Sequence, residues 1–144
     1  MNSIAEIQLK YSTRKRKKLK IINSDNAFKA FLRHWNEDTI ELYEEFKIML
    51  LNKANEVLGI YTLSQGGISA TLVDMRLLFA VVLKSAATSI IMAHNHPSGN
   101  LKPSEADKQL FRKINNAAEL LDINVLDNLI ITKVSYFSFT DEGV

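Results

Sequence analysis

The sequence predicts a mixed α/β domain, a sheet of mixed strand direction flanked by helices in two or three layers. Three observations carry this. Strand-like apolar runs interleave with stripes of apolar residues at i, i+3, i+4 spacing, and no segment repeats. Residues 89–93 form a short, continuous apolar run, as expected of a strand covered on both faces. The chain has 144 residues, 47% hydrophobic and 24% charged, which suits one domain that buries its own core.

Residues 4–11 carry strand-like side chains with imperfect alternation and predict a first strand. A basic run follows, Arg14 to Lys18, and predicts a solvated loop. Ser24 or Asp25 is the expected cap of a helix that aligns Ala27, Phe28, Phe31, Leu32 and Trp35. The acid-rich residues 36–45 cross to the next strand. Residues 45–52 read as a buried strand and residues 56–63 as its antiparallel return, with a turn at Lys53, Ala54 and Asn55. Gly66 and Gly67 break the pattern. Asp74 caps a second helix whose buried face is Leu77, Leu78, Val81 and Val82. After the apolar strand at 89–93, residues 94–100 are dense in turn formers. Ser104 starts a third helix with Leu110, Ile114, Ala117, Ala118 and Leu121 as its stripe. Residues 123–125 and 129–132 read as strand broken at Asp127 and Asn128, and residues 136–140 as a last strand. The expected organisation is a strand and basic loop over 1–24 and the main domain over 25–144.

Composition narrows the function classes. With no cysteine, there is no disulfide framework, thiolate metal site or thiol nucleophile. No run reaches the roughly 18 apolar residues of a membrane helix, and the first residues lack a secretory pattern. A cytoplasmic location is the expectation. Charge is uneven. The first 20 residues hold seven basic side chains (Lys10, Arg14, Lys15, Arg16, Lys17, Lys18 and Lys20) against Glu6, whereas the rest is mildly acidic. That is a basic arm, suited to weak DNA or partner contact through residues 10–20, and not a basic folded face.

The chemistry concentrates at residues 94–107. Side chains alternate along an extended chain, so His94 and His96 point the same way where the strand ends. Two imidazoles so placed can hold one cation at about 2.0–2.1 Å. If the helix that starts at Ser104 returns over the strand end, Asp107 in its first turn supplies a carboxylate to the same ion. Two His and one Asp leave the fourth tetrahedral position to water. The plainer alternatives are turn contacts for the histidines and an N-terminal capping box for Ser104 and Asp107. A capping box and a ligand role are compatible.

The segment His94-Asn95-His96-Pro97-Ser98-Gly99, followed by Pro103-Ser104-x-x-Asp107, resembles the JAMM (MPN+) metalloprotease signature and, more narrowly, its RadC-like branch. Residues 44–52, Gly66-Gly67-Ile68 and residues 120–123 are similar in kind, so the resemblance covers about residues 25–142. It implies the cytidine-deaminase-like JAMM/MPN architecture. It also implies one zinc ion on His94, His96 and Asp107, a serine at Ser104 that steadies an oxyanion, and a glutamate on an early strand as general acid and base. Parity selects that glutamate: Glu44 shares a face with Phe46, Ile48 and Leu50, and Glu45 with Lys47, Met49 and Leu51. A catalytic carboxylate belongs on the face toward core and cleft, which is that of Glu44; Glu45 is then a solvated strand-end charge. The implied activity is hydrolysis of a peptide, isopeptide or similar amide bond. A DNA-repair accessory role and an inactive scaffold are the competing classes.

Two features depart from that branch. Asn128, expected to be a bulge or turn residue, stands where its members usually have histidine. With a strand expected near Ile4, no helix-hairpin-helix such as many members carry is expected in residues 1–24. His34 is expected at the surface or its boundary and Trp35 in packing.

Overall fold

The structure, a computed structural model, describes residues 2–13, 17–66 and 73–144. Arg14, Lys15 and Arg16, at the centre of the basic run, and Gly67 and Ile68 lie outside the described residues. Helix α1 (Ser24–His34) leads to β1 (Glu45–Leu51) and β2 (Val57–Gln65), then α2 (Met75–Lys84), β3 (Ser89–Asn95) and α3 (Glu105–Leu120). β4 (Asn124–Ile131), β5 (Tyr136–Ser138) and the short α4 (Phe139–Glu142) complete the chain. The sheet order is β2-β1-β3-β4-β5. β3 and β4 are parallel, joined through α3; the other pairs are antiparallel. The expected mixed α/β class holds, and the layer count resolves to three.

The layers follow from strand parity. Every residue of β1 and of β3 is buried, so both faces of the central strands are covered. On one face Met49, Leu51, Ile91, Ala93, Leu129 and Ile131 pack under Phe28, Phe31 and Trp35. On the other, Phe46, Ile48, Leu50, Ile90 and Met92 pack under Leu78, Phe79 and Val82 of α2 and Ile114 and Ala118 of α3. The β1–β2 hairpin turns at Asn55, whose φ of 59° suits asparagine, while the Asn52 side chain accepts from the Ala54 and Glu56 amides.

Several expectations are corrected. Residues 4–11 form no strand: Ile4 and Ile7 are 97% and 90% exposed. Residues 19–21 meet the edge of β2 instead, with Val57 N donating to Leu19 O at 2.8 Å and Ile21 N to Asn55 O at 2.9 Å. The cap of α1 is Asn23, whose side chain accepts from Asn26 N, and not Ser24 or Asp25. Asp74 caps α2 as expected, but the helix is rotated so that Leu78, Phe79 and Val82 are buried and Leu77 is exposed. In α3, Leu121 is exposed beyond the helix end.

β4 runs unbroken through Asp127 and Asn128. The irregularity is a register shift that skips Leu126 opposite Ile90 and Ile91. Asp127 is tolerated inside because its carboxylate accepts from Ser138 Oγ at 2.6 Å and from the Thr140 and Asn128 amides. The last strand stops at Ser138, whose hydroxyl caps α4 by accepting from Asp141 N. No helix among the described residues is long and apolar enough to cross a membrane.

Candidate metal centre

The site lies where β3 ends and α3 begins. β3 extends to Asn95, so His94 is a strand residue and buried, and His96 follows at the first position beyond the strand. Both side chains turn to the α3 side of the sheet. The α3 N-terminus meets them because its first turn is fixed by a capping box: Ser104 Oγ accepts from Asp107 N at 3.0 Å, and Ser104 N donates to Asp107 Oδ2 at 2.9 Å. The capping role therefore aims the Asp107 carboxylate at the histidines.

The donor atoms converge. His94 Nε2 and His96 Nε2 are 3.2 Å apart. Asp107 Oδ1 is 3.3 Å from His94 Nε2, and Asp107 Oδ2 is 3.3 Å from His96 Nε2. Tetrahedral donors each about 2.0–2.1 Å from a zinc ion lie about 3.3 Å from one another. The His–His separation is near that edge length, and each imidazole is at the same distance from one of the two Asp107 oxygens, so the set present suits a small divalent cation. The three residues also form a group able to hold a metal ion by type and proximity.

The surroundings suit the same role. His96 Nδ1 donates to Asn100 O at 2.6 Å, which fixes the ring with Nε2 turned to Asp107. The Phe46 ring lies parallel to the His94 ring, with centroids 6.0 Å apart and 7° between planes. Burial would push the Asp107 carboxyl up, but hydrogen bonds from His94, His96 and the Ser104 backbone outweigh it and hold it well below the usual carboxylate range. Burial disfavours the His96 cation, yet Asp107, the Asn100 carbonyl and the charge on Glu44 together raise its pKa.

A cleft of about 630 Å³ opens beside these residues, lined among others by Glu44, Phe46, Ser104 and Asn128. Glu44 and Ser104 thus share one cleft with the three candidate ligands. Asn128 is also there, buried in β4, with its Oδ1 unpartnered among the described residues; it is neither a turn residue nor the bulge. The Asn100 carbonyl behind His96 was not anticipated. Its only sequence signal is its place in the turn-rich segment.

Glu45 is not the solvated charge expected. It is 4% exposed and faces the α1 side. Its Oε1 accepts from Gln65 Nε2 at 2.8 Å, and its Oε2 pairs with the buried Lys47 Nζ at 3.2 Å. Lys47 Nζ also donates to Thr62 Oγ1 at 2.9 Å, contacts His34 Nδ1 at 3.3 Å and sits 4.8 Å from the Trp35 ring centroid. Partial burial, and then the Lys47 charge, lower the pKa of His34, with Glu45 opposing them. A histidine whose folded pKa lies below the unfolded value takes its proton more readily in the unfolded chain. Its cost to stability therefore appears as pH falls through about 6.5 and is complete below the folded pKa. Urea unfolding of wild type and His34→Gln between pH 7.5 and 5 is expected to show wild type losing stability relative to the variant on acidification. A constant difference across that range would contradict it.

The RadC-like JAB domain family matches residues 21–144. The chain belongs to that family. Within it, the chain is 52% identical over 102 residues to a UPF0758 protein of Flavobacterium johnsoniae, covering 71% of this chain and 44% of that protein. It is 44% identical over 102 residues to a UPF0758 protein of Porphyromonas gingivalis, covering 70% of this chain and 45% of that one. A UPF0758 protein of Chlorobaculum tepidum is 31% identical over 142 residues, 99% of this chain and 63% of that protein. The chain spans less than half the length of the first two relatives. The RadC-like JAB match takes in every candidate ligand, both glutamates and Ser104.

Proposed function

We propose that this domain is a zinc-dependent hydrolase of peptide or isopeptide-like amide bonds. The observation that carries the reading is the convergence of His94, His96 and Asp107 donor atoms at 3.2–3.3 Å beside a cleft that also holds Glu44 and Ser104. Zinc bound there would supply Lewis acidity toward a carbonyl oxygen and make water acidic enough to attack near neutral pH.

The remaining work falls to the chain's own residues. Glu44, at the mouth of β1, takes the proton from the attacking water on its carboxylate and delivers it to the leaving nitrogen. Ser104 Oγ already accepts from the Asp107 amide, so its own hydrogen is left to donate to the developing oxyanion. Asp107 and the Asn100 carbonyl orient the two imidazoles. A single-ion site with two neutral ligands suits amide hydrolysis better than the two-ion clamp of phosphodiester cleavage.

The test has two parts. Protein purified without chelator is expected to carry close to one zinc per chain by elemental analysis. It is also expected to cleave members of a quenched fluorogenic library containing α-peptide and lysine isopeptide bonds, with cleavage lost to a chelator and restored by zinc. Zinc far below one per chain, or no cleavage by the zinc-loaded protein, would overturn the reading.

A further inference from the structure

Asn95, between the two histidines, turns its side chain to the opposite face of the sheet. It is fully buried. Its amide makes three hydrogen bonds, and all three go to the segment before and at the start of β1. Nδ2 donates to Ile40 O at 2.7 Å and to Tyr43 O at 2.9 Å, and Oδ1 accepts from Glu45 N at 2.7 Å. The Tyr43 carbonyl belongs to the peptide unit that enters Glu44, and the Glu45 amide to the unit that leaves it. One side chain therefore holds the backbone on both sides of the Glu44 Cα. The leaving unit is gripped from its other side too, because Gly66 N donates to Glu44 O at 2.8 Å.

We infer that Asn95 is a positioning residue that sets Glu44 against the metal ligands. This rests on the hydrolase reading above. The physical case is one of precision. His94 is fixed by pairing with Phe46 across β1 and β3, but Glu44 lies one residue before β1 begins, where the β1–β3 ladder no longer holds the backbone. A general base must sit within hydrogen-bond reach of the proton it takes, and a misplacement of about 1 Å costs roughly 100-fold in rate. Asn95 replaces the missing ladder bonds. Its two donors and one acceptor match two carbonyls and one amide, a pattern that neither aspartate nor leucine reproduces. Because Asn95 shares a backbone with both histidines, the same residue ties base and ligands to one frame.

The test uses the whole chain, with the fluorogenic α-peptide and isopeptide library as probe. In wild type, the Glu45 amide is expected to resist hydrogen exchange as the β1 amides do. Asn95→Ala is expected to retain about one zinc per chain, to speed Glu45 exchange more than tenfold, and to lower kcat about 10- to 100-fold with little change in KM. Asn95→Asp, which keeps the acceptor and loses both donors, is expected to fall the same way and covers the case of poor folding in the alanine variant. In a Glu44→Gln background, Asn95→Ala is expected to cause no further loss, because its effect runs through Glu44. A merely structural role would lower kcat equally in both backgrounds, and that result overturns the inference. An unprotected Glu45 amide in wild type, or unchanged kcat in either Asn95 variant, also overturns it and leaves the hydrolase reading standing. No turnover by zinc-loaded wild type overturns both.

Discussion

His96→Ala is expected to reduce zinc from about one per chain to near zero after dialysis against trace chelator, with affinity lowered by more than about 100-fold. The lower bound comes from comparison: losing a group that merely orients a ligand costs about 10- to 100-fold in affinity. Removing the ligand itself leaves His94 and Asp107, two donors where three now converge. The variant is expected to fold. His96 lies beyond the end of β3 and outside both core clusters, and the Ser104–Asp107 capping box does not need it. The thermal midpoint gives a second readout. A ligand bound only to the folded state adds about 4 kcal/mol at 1,000 times its dissociation constant. Wild type is therefore expected to lose several degrees on chelation, whereas His96→Ala is expected to show the same midpoint with and without chelator. Near-stoichiometric zinc in His96→Ala would remove the basis of the proposed chemistry.

The convergence of His94, His96 and Asp107 was legible because it obeys local rules. Period two along a strand puts His94 and His96 together, and a Ser-x-x-Asp helix start places Asp107 in a first turn. The central strands and the hairpin were legible for the same reason, since their apolar runs and turn residues are contiguous. Several of the misreadings turn on partners that the local pattern does not reveal. Ile4 and Ile7 look like strand residues, but residues 19–21 already meet the β2 edge. Asp127 looks like a strand breaker until Ser138 and Thr140 satisfy its carboxylate. Glu45 looks like a solvated charge until Lys47 and Gln65 are seen beside it. Asn95 has no local signature, because its three partners lie 50 or more residues earlier.

The neighbouring glutamates offer the sharpest separation of roles. Glu44→Gln is expected to keep one zinc per chain and to lower kcat by about 100- to 10,000-fold, the range for removing a positioned general acid and base. Glutamine preserves shape and polarity, so the loss reads the missing proton acceptor and not a collapsed site. Glu45→Gln is expected to do the reverse. Its side chain faces the other side of the sheet, so the zinc site and kcat are expected to stay near wild type. Stability is expected to fall by about 3–5 kcal/mol, because the buried Lys47 ammonium loses its counter-charge. Steady-state kinetics, zinc analysis and urea unfolding on the two single variants decide the matter. If Glu45→Gln silenced turnover while Glu44→Gln spared it, the assignment by strand parity would be wrong even with the metal site intact. Glu45 is held against Lys47 and Gln65 on the α1 side while Glu44 lines the cleft, so only one of the two can act there.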